Sequence, residues 1–160
     1  MTDERIEVTR DVPAPPAEIF DVLRRPYGHI AIDASGMLQS ATGDAVAQVG
    51  DSFVVHMDRE SLGDVDLGKY DVEVKITAYA PDREIAWTIF GTIEPPIGHV
   101  YGYRLDPIAN GTRVTSYYDW SDAHPKWKPI FPVISESSLK ATLGILERAV
   151  RLGYPDPTRG

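Results

Sequence analysis

The sequence predicts an α+β fold: a curved antiparallel sheet of six to seven strands wrapped on one long C-terminal helix, with two short helices after the first strand. Three observations carry that prediction. Within 132–152, Leu139, Leu143, Leu146 and Val150 recur at i, i+4, i+7 and i+11, with Thr142 and Ala149 on the same face. That is one apolar stripe on the helical period. Between Arg5 and Trp120, apolar and polar residues instead alternate at period two, the pattern of half-buried strands. Finally, Gly153, Pro155 and Pro157 stop the last helix, and Pro132 suits its first turn. About eighteen helical residues would span roughly 27 Å, enough to cross a small sheet.

The first strand is read from Ile6, Val8, Arg10 and Val12 alternating with Glu7, Thr9 and Asp11. Pro13, Pro15 and Pro16 end it, and Pro16 opens a helix whose apolar face is Ile19, Phe20 and Leu23. Pro26 closes that helix, and 27–33 supplies one or two further turns before Ser35-Gly36. A weak strand at 37–41 is followed by a firmer one over Ser52–Asp58, with Phe53, Val55 and Met57 on one face. The acidic loop 59–68 is expected to be exposed. Over 69–79, Tyr70, Val72, Val74, Ile76 and Ala78 share one face, the cleanest alternation in the chain. Strand 83–90 groups Ile85, Trp87 and Ile89, and strand 100–105 groups Tyr101, Tyr103 and Leu105. Asn110-Gly111 predicts a type I′ hairpin turn. The last strand, 112–120, places Val114, Ser116, Tyr118 and Trp120 together. No repeat or linker divides the 160 residues, so one domain over 1–160 is expected.

Composition excludes several classes of function. A formal net charge of −8 argues against a nucleic-acid footprint and against docking on an anionic membrane. The chain holds no cysteine, which removes disulfides, thiolate metal sites and thiol nucleophiles. No stretch approaches the ~20 apolar residues of a membrane span, and 1–5 lacks an apolar signal core, so a cytoplasmic location without stable membrane insertion is the expectation. His56, His99 and His124 fall without ligand spacing, so no metal is expected. Neither a Gly-x-Ser-x-Gly nucleophile turn nor a phosphate loop nor a dinucleotide glycine fingerprint is present, and no cofactor is expected.

The element order resembles the START-related helix-grip superfamily, also called SRPBCC, which includes polyketide cyclases and lipid carriers. The local wording strengthens the likeness. His29-Ile-Ala-Ile-Asp33-Ala-Ser35-Gly36 is similar to a His-x3-Asp-Gly-Ser-Gly segment of one uncharacterised branch, with Ala34 standing where that branch has glycine. Val49-Gly50-Asp51-Ser52-Phe53, Arg83-Glu-Ile-Ala-Trp87 and Gly111-Thr112-Arg113-Val114-Thr115 through Ser121 resemble the superfamily's strand entries. The resemblance covers roughly 6–152 and implies a cavity between the sheet and the last helix.

Candidate site residues follow from the faces. Trp87, Tyr101, Tyr103, Tyr118 and Trp120, with Phe53, Val55, Met57, Leu139 and Leu143, point to the concave side, where they either fill the core or wall a hollow. Flat rings with hydrogen-bonding edges suit a steroid, polyketide or acyl ligand. His29 and Asp33, at i and i+4 on a helix, form a candidate acid–base pair, the carboxylate raising the imidazole pKa; a surface pair or a capping Asp is the competing reading. Arg10 shares the inward parity of Ile6 and Val8, so it could meet a ligand's acid group, an internal carboxylate, or solvent through a parity shift. The leading expectation is therefore a protein that binds a hydrophobic small molecule. The alternative is a polyketide aromatase/cyclase that folds a poly-β-ketone, with a tyrosine donating to a carbonyl and His29 or Arg10 aiding proton transfer.

Overall fold

The structure, a computed structural model, describes residues 4–58 and 68–158. Among the described residues there are seven strands: β1 Arg5–Val12, β2 Leu38–Thr42, β3 Ser52–Asp58, β4 Lys69–Ala80, β5 Glu84–Phe90, β6 Val100–Ile108 and β7 Gly111–Asp119. They form one antiparallel sheet in the order β1-β7-β6-β5-β4-β3-β2, so the first strand closes against the last. Helices α1 Pro16–Arg24 and α2 Pro26–Ile32 lie between β1 and β2, and α3 Glu136–Leu152 follows the sheet. This is the helix-grip arrangement. Most of the expected acidic loop, 59–67, lies outside the described residues.

The apolar faces meet as their periodicities require. On α1, Ile19 and Leu23 are fully buried; on α3, so are Leu143 and Leu146. Facing them, Val55, Ile76, Ile85, Leu105 and Val114 leave the sheet, each no more than 1% exposed. Each such side chain contributes about 1.5–3 kcal/mol by leaving water. Pro16 stands at the start of α1, and Pro26 opens α2 as well as ending α1, with Arg25 as the extended residue between them. Gly28 permits that sharp corner: a Cβ there would lie 1.8 Å from the Val22 carbonyl oxygen. The next residue, His29, is thereby brought beneath α1.

Three local expectations are corrected. Helix α3 starts at Glu136 rather than at Pro132, because Ser135 is its N-cap and accepts a hydrogen bond from the Ser138 amide at 3.1 Å. The hairpin between β6 and β7 turns at Ala109-Asn110, with Ile108 paired to Gly111, so it is not a type I′ turn centred on Asn110-Gly111. Neither central residue has positive φ; Gly111 does (152°), and a Cβ on it would meet the Val12 oxygen at 2.1 Å. Close approach of β1, not turn type, demands that glycine. Lastly, the alternation of β4 breaks at Thr77, where the register passes from Ile76–Trp87 to Ala78–Ala86. The extra residue turns Tyr79 inward onto Phe20, with ring centroids 5.2 Å apart.

Candidate ligand cavity

A cavity of about 250 Å³ lies between the N-terminal half of α3 and the β3–β6 portion of the sheet. Its sheet wall alternates along each strand: Val55 and Met57, Val72 and Val74, Trp87 and Ile89, Tyr101 and Tyr103. Ile134, Leu139 and Thr142 form the opposite wall, and His29, Ile32 and the 33–38 turn close the side. Apolar surface dominates, and among the described residues no Lys or Arg side chain reaches the lining and Asp33 is its one acidic group.

The β7 end of the same interlayer space is solid. Phe131, delivered by the segment before α3, stacks on Trp120 at 6.0 Å and packs 6.2 Å from Tyr118 and 5.9 Å from His99. Trp120 and Tyr118 are 5% and 0% exposed and border no part of the cavity. Of the sequence candidates, Val55, Met57, Trp87, Tyr101, Tyr103 and Leu139 line the hollow, together with His29 and Asp33, while Phe53 and Leu143 pack behind it. Position along the strand, not parity, separates the two sets.

His29 and Asp33 both reach the cavity but are engaged separately. The Asp33 carboxylate accepts from the Ser35 amide (2.9 Å), the Ser35 hydroxyl (2.6 Å) and the Leu38 amide (3.1 Å), which fixes the turn into β2. His29 donates from Nε2 to the Leu23 carbonyl at 2.8 Å. Because a carbonyl only accepts, Nε2 carries the proton and Nδ1 holds a lone pair. The ring packs against Trp87 (4.4 Å) and edge-on to Phe53 (4.9 Å). Burial pushes its pKa down to about 4, only partly opposed by the Leu23 bond. The expected rise beside a carboxylate is thus reversed, and the imidazole is neutral at ordinary pH.

Trp87 is the centre of the wall. It stacks with Tyr101 and Tyr103, at 6.3 and 5.8 Å, as well as contacting His29. Tyr101 also packs on Tyr118, with ring centroids 4.8 Å apart, and Tyr103 pairs with Ser116 across the sheet. Burial pushes Tyr103 up to about 12 and raises Tyr101 and Tyr118 further, so all three stay protonated. Tyr118 also shares a 2.6 Å hydrogen bond with His99 Nδ1, and burial lowers His99 to about 4. His99 went unnoticed as an inward residue, although it continues the Tyr101–Tyr103 parity one step before the strand.

Arg10 lies outside the cavity. Its guanidinium reaches Glu147 on α3 through two contacts of 3.3 Å, bridging helix and sheet at the rim. On the opposite face of the sheet, Thr42, His56 and Asp71 form a chain of 2.8 and 2.7 Å hydrogen bonds across β2, β3 and β4. The order resembles a nucleophile–base–carboxylate set, but all three are open to water. The low dielectric that makes such sets effective is missing there.

The model of the family described as polyketide cyclase/dehydrase and lipid transport matches residues 3–151. The chain belongs to that family. Among curated proteins it is similar to the uncharacterized protein Rv0088 of Mycobacterium tuberculosis, 26% identical over 121 residues, which are 74% of this chain and 49% of that protein. The chain thus spans about half the length of that relative. Protein CV1439 from Chromobacterium violaceum shares the fold with a TM-score of 0.68 at 16% identity, covering 96% of this chain and 99% of that one. DynU16, a protein of the dynemicin biosynthetic locus, matches with a TM-score of 0.57 at 18% identity, over 96% of this chain and 49% of its own. In this member of the family, Phe131 plugs one end of the space under α3 and leaves the other end hollow. Among the described residues no helix is long and apolar enough to cross a membrane, and no three His, Asp or Glu side chains converge as metal ligands.

Proposed function

We propose that the protein binds a compact hydrophobic small molecule in the cavity beneath the N-terminal half of α3. One observation carries the reading: about 250 Å³ of space walled by Trp87, Tyr101, Tyr103 and aliphatic side chains. That volume exceeds the ~150 Å³ that houses benzene in an apolar cavity and falls below the ~300–1,000 Å³ of drug-sized sites. A one- or two-ring molecule, or the ring end of a longer chain protruding at the mouth, matches it. Binding would draw on desolvation of the guest and stacking on Trp87. The family's description, which names lipid transport beside cyclase and dehydrase chemistry, supports the same reading.

The test is to extract protein purified under native conditions with organic solvent and identify released molecules by mass spectrometry, then titrate the emptied protein with fluorescent hydrophobic probes. A stoichiometric guest, or a saturable probe competed by it, is expected. Absence of both overturns the reading. A second reading, a cyclase acting on a poly-β-ketone, is favoured by one feature, an inward ionisable group at His29 beside the aromatic wall. Conversion of a short β-polyketide thioester mimic, abolished in His29→Phe, would support it; binding without turnover would favour carriage.

A further inference from the structure

Several polar groups of the cavity wall are engaged within the protein. Asp33 is held by Ser35 and Leu38, and Thr142 donates to the Ser138 carbonyl. His29 differs. The residue is 5% exposed, its Nε2 proton goes to Leu23, and Nδ1 has no hydrogen-bond partner among the described residues. The ring that carries this lone pair helps to line the cavity. A buried acceptor without a donor is costly unless a ligand or water supplies one.

Charge narrows the choice of ligand. With no Lys or Arg among the described residues of the lining, Asp33 at its edge and a formal net charge of −8 on the chain, a carboxylate guest would enter an unfavourable field without a described counter-ion. A neutral guest meets no such barrier.

Resting on the hydrophobic-binding reading above, we propose that the cavity selects neutral ring compounds bearing a phenol or enol hydroxyl, which donates to His29 Nδ1 while the ring stacks on Trp87. The hydroxyl's acidity suits it as a donor, and the Trp87–His29 contact of 4.4 Å places acceptor and stacking surface side by side. An uncharged hydrogen bond to this acceptor would tighten binding by about fivefold over the same ring without the hydroxyl.

The experiment uses naphthalene, 2-naphthol and 2-naphthoate, titrated into the full chain by calorimetry at pH 7. The expected result is that 2-naphthol binds about fivefold tighter than naphthalene, with 2-naphthoate the weakest. In His29→Phe, which keeps a ring against Trp87 and Phe53, the two neutral probes should bind alike. Nitrogen-detected NMR of the wild-type imidazole gives a readout that does not depend on that variant folding: 2-naphthol should move the Nδ1 resonance, and naphthalene should not. If naphthalene binds but 2-naphthol gains nothing, or Nδ1 stays unmoved, the selection proposal falls while hydrophobic binding stands. The strongest binding by 2-naphthoate also overturns the selection proposal. If no probe binds, both fall.

Discussion

Leu139 and Leu143 sit one turn apart on the same face of α3, yet they meet different neighbours. Leu139 is 6% exposed and borders the cavity, whereas Leu143 is 1% exposed and packed on all sides. Truncating either to alanine removes three carbons, a loss of about 2.4 kcal/mol at roughly 0.8 kcal/mol per methylene. At Leu143 the surroundings cannot collapse, and a residual void of about 60 Å³ adds about 1.4 kcal/mol at 24 cal/mol per Å³. At Leu139 the side facing the hollow already lacks partner atoms, so little further cavity term arises. Leu143→Ala should therefore cost about 4 kcal/mol and Leu139→Ala about 2.5 kcal/mol. Urea unfolding followed by tryptophan fluorescence reads the difference at unchanged m. Thermal midpoints should differ by about 3–6 °C for a chain of this length. Equal costs, or a larger one at Leu139, would mean that α3 is packed as tightly over the β3–β6 strands as elsewhere, and the hollow would be refuted.

The pH dependence of stability has a predictable sign. His29 and His99 have folded pKa values of about 4, below the ordinary 6.5, so between those values the unfolded chain binds protons that the folded chain refuses. Stability should fall as pH drops from about 6.5 to about 4, by up to about 3 kcal/mol per histidine, and level off below. Urea midpoints at pH 7, 5.5 and 4.5 check this, and a flat profile would contradict it. Arg5 and Arg113 hold Glu7 and Asp11 below the usual carboxylate range, so the loss of those pairs belongs to a lower window. Val72→Phe, at an 8% exposed wall position, should abolish probe binding while shifting the thermal midpoint by only a few degrees, because the new ring enters existing space. Arg10→Ala should cost under about 1 kcal/mol, as its partner contact is half in water, and should leave probe affinity unchanged. A large loss of affinity there would mean that the rim pair shapes the site.

Much of the architecture was legible because its cause is local. Period-two alternation in β4 and β7 and the stripe on α3 declare which faces are buried, and Gly153 declares where α3 ends. Corrections arose where a neighbouring element decides the outcome. The Thr77 bulge that brings Tyr79 onto Phe20 leaves no trace in an otherwise regular strand pattern. Gly111 answers to β1, which is remote in sequence. For the site, parity identified inward rings but not which of them face a void. Tyr101 and Tyr118 share a face and a ring contact, yet Phe131 covers one and leaves the other at the wall. Only the path of the segment before α3 makes that distinction, and its irregular backbone carries no periodicity to read.

The state of His29 also weighs between carriage and catalysis. A general base works best with a pKa near the ambient pH. With a pKa of about 4, the imidazole is neutral at ordinary pH and Nδ1 is free of a proton, but its conjugate acid is too strong for it to draw a proton readily from a carbon acid. The same burial that weakens it as a base raises the cost of leaving Nδ1 unmatched, and so sharpens discrimination between a guest with a hydroxyl and one without. Desolvation thus favours recognition over proton transfer at this position. A polyketide-folding role would then have to rest on how the walls hold the substrate, and about 250 Å³ accommodates one or two rings at a time rather than a long folded chain.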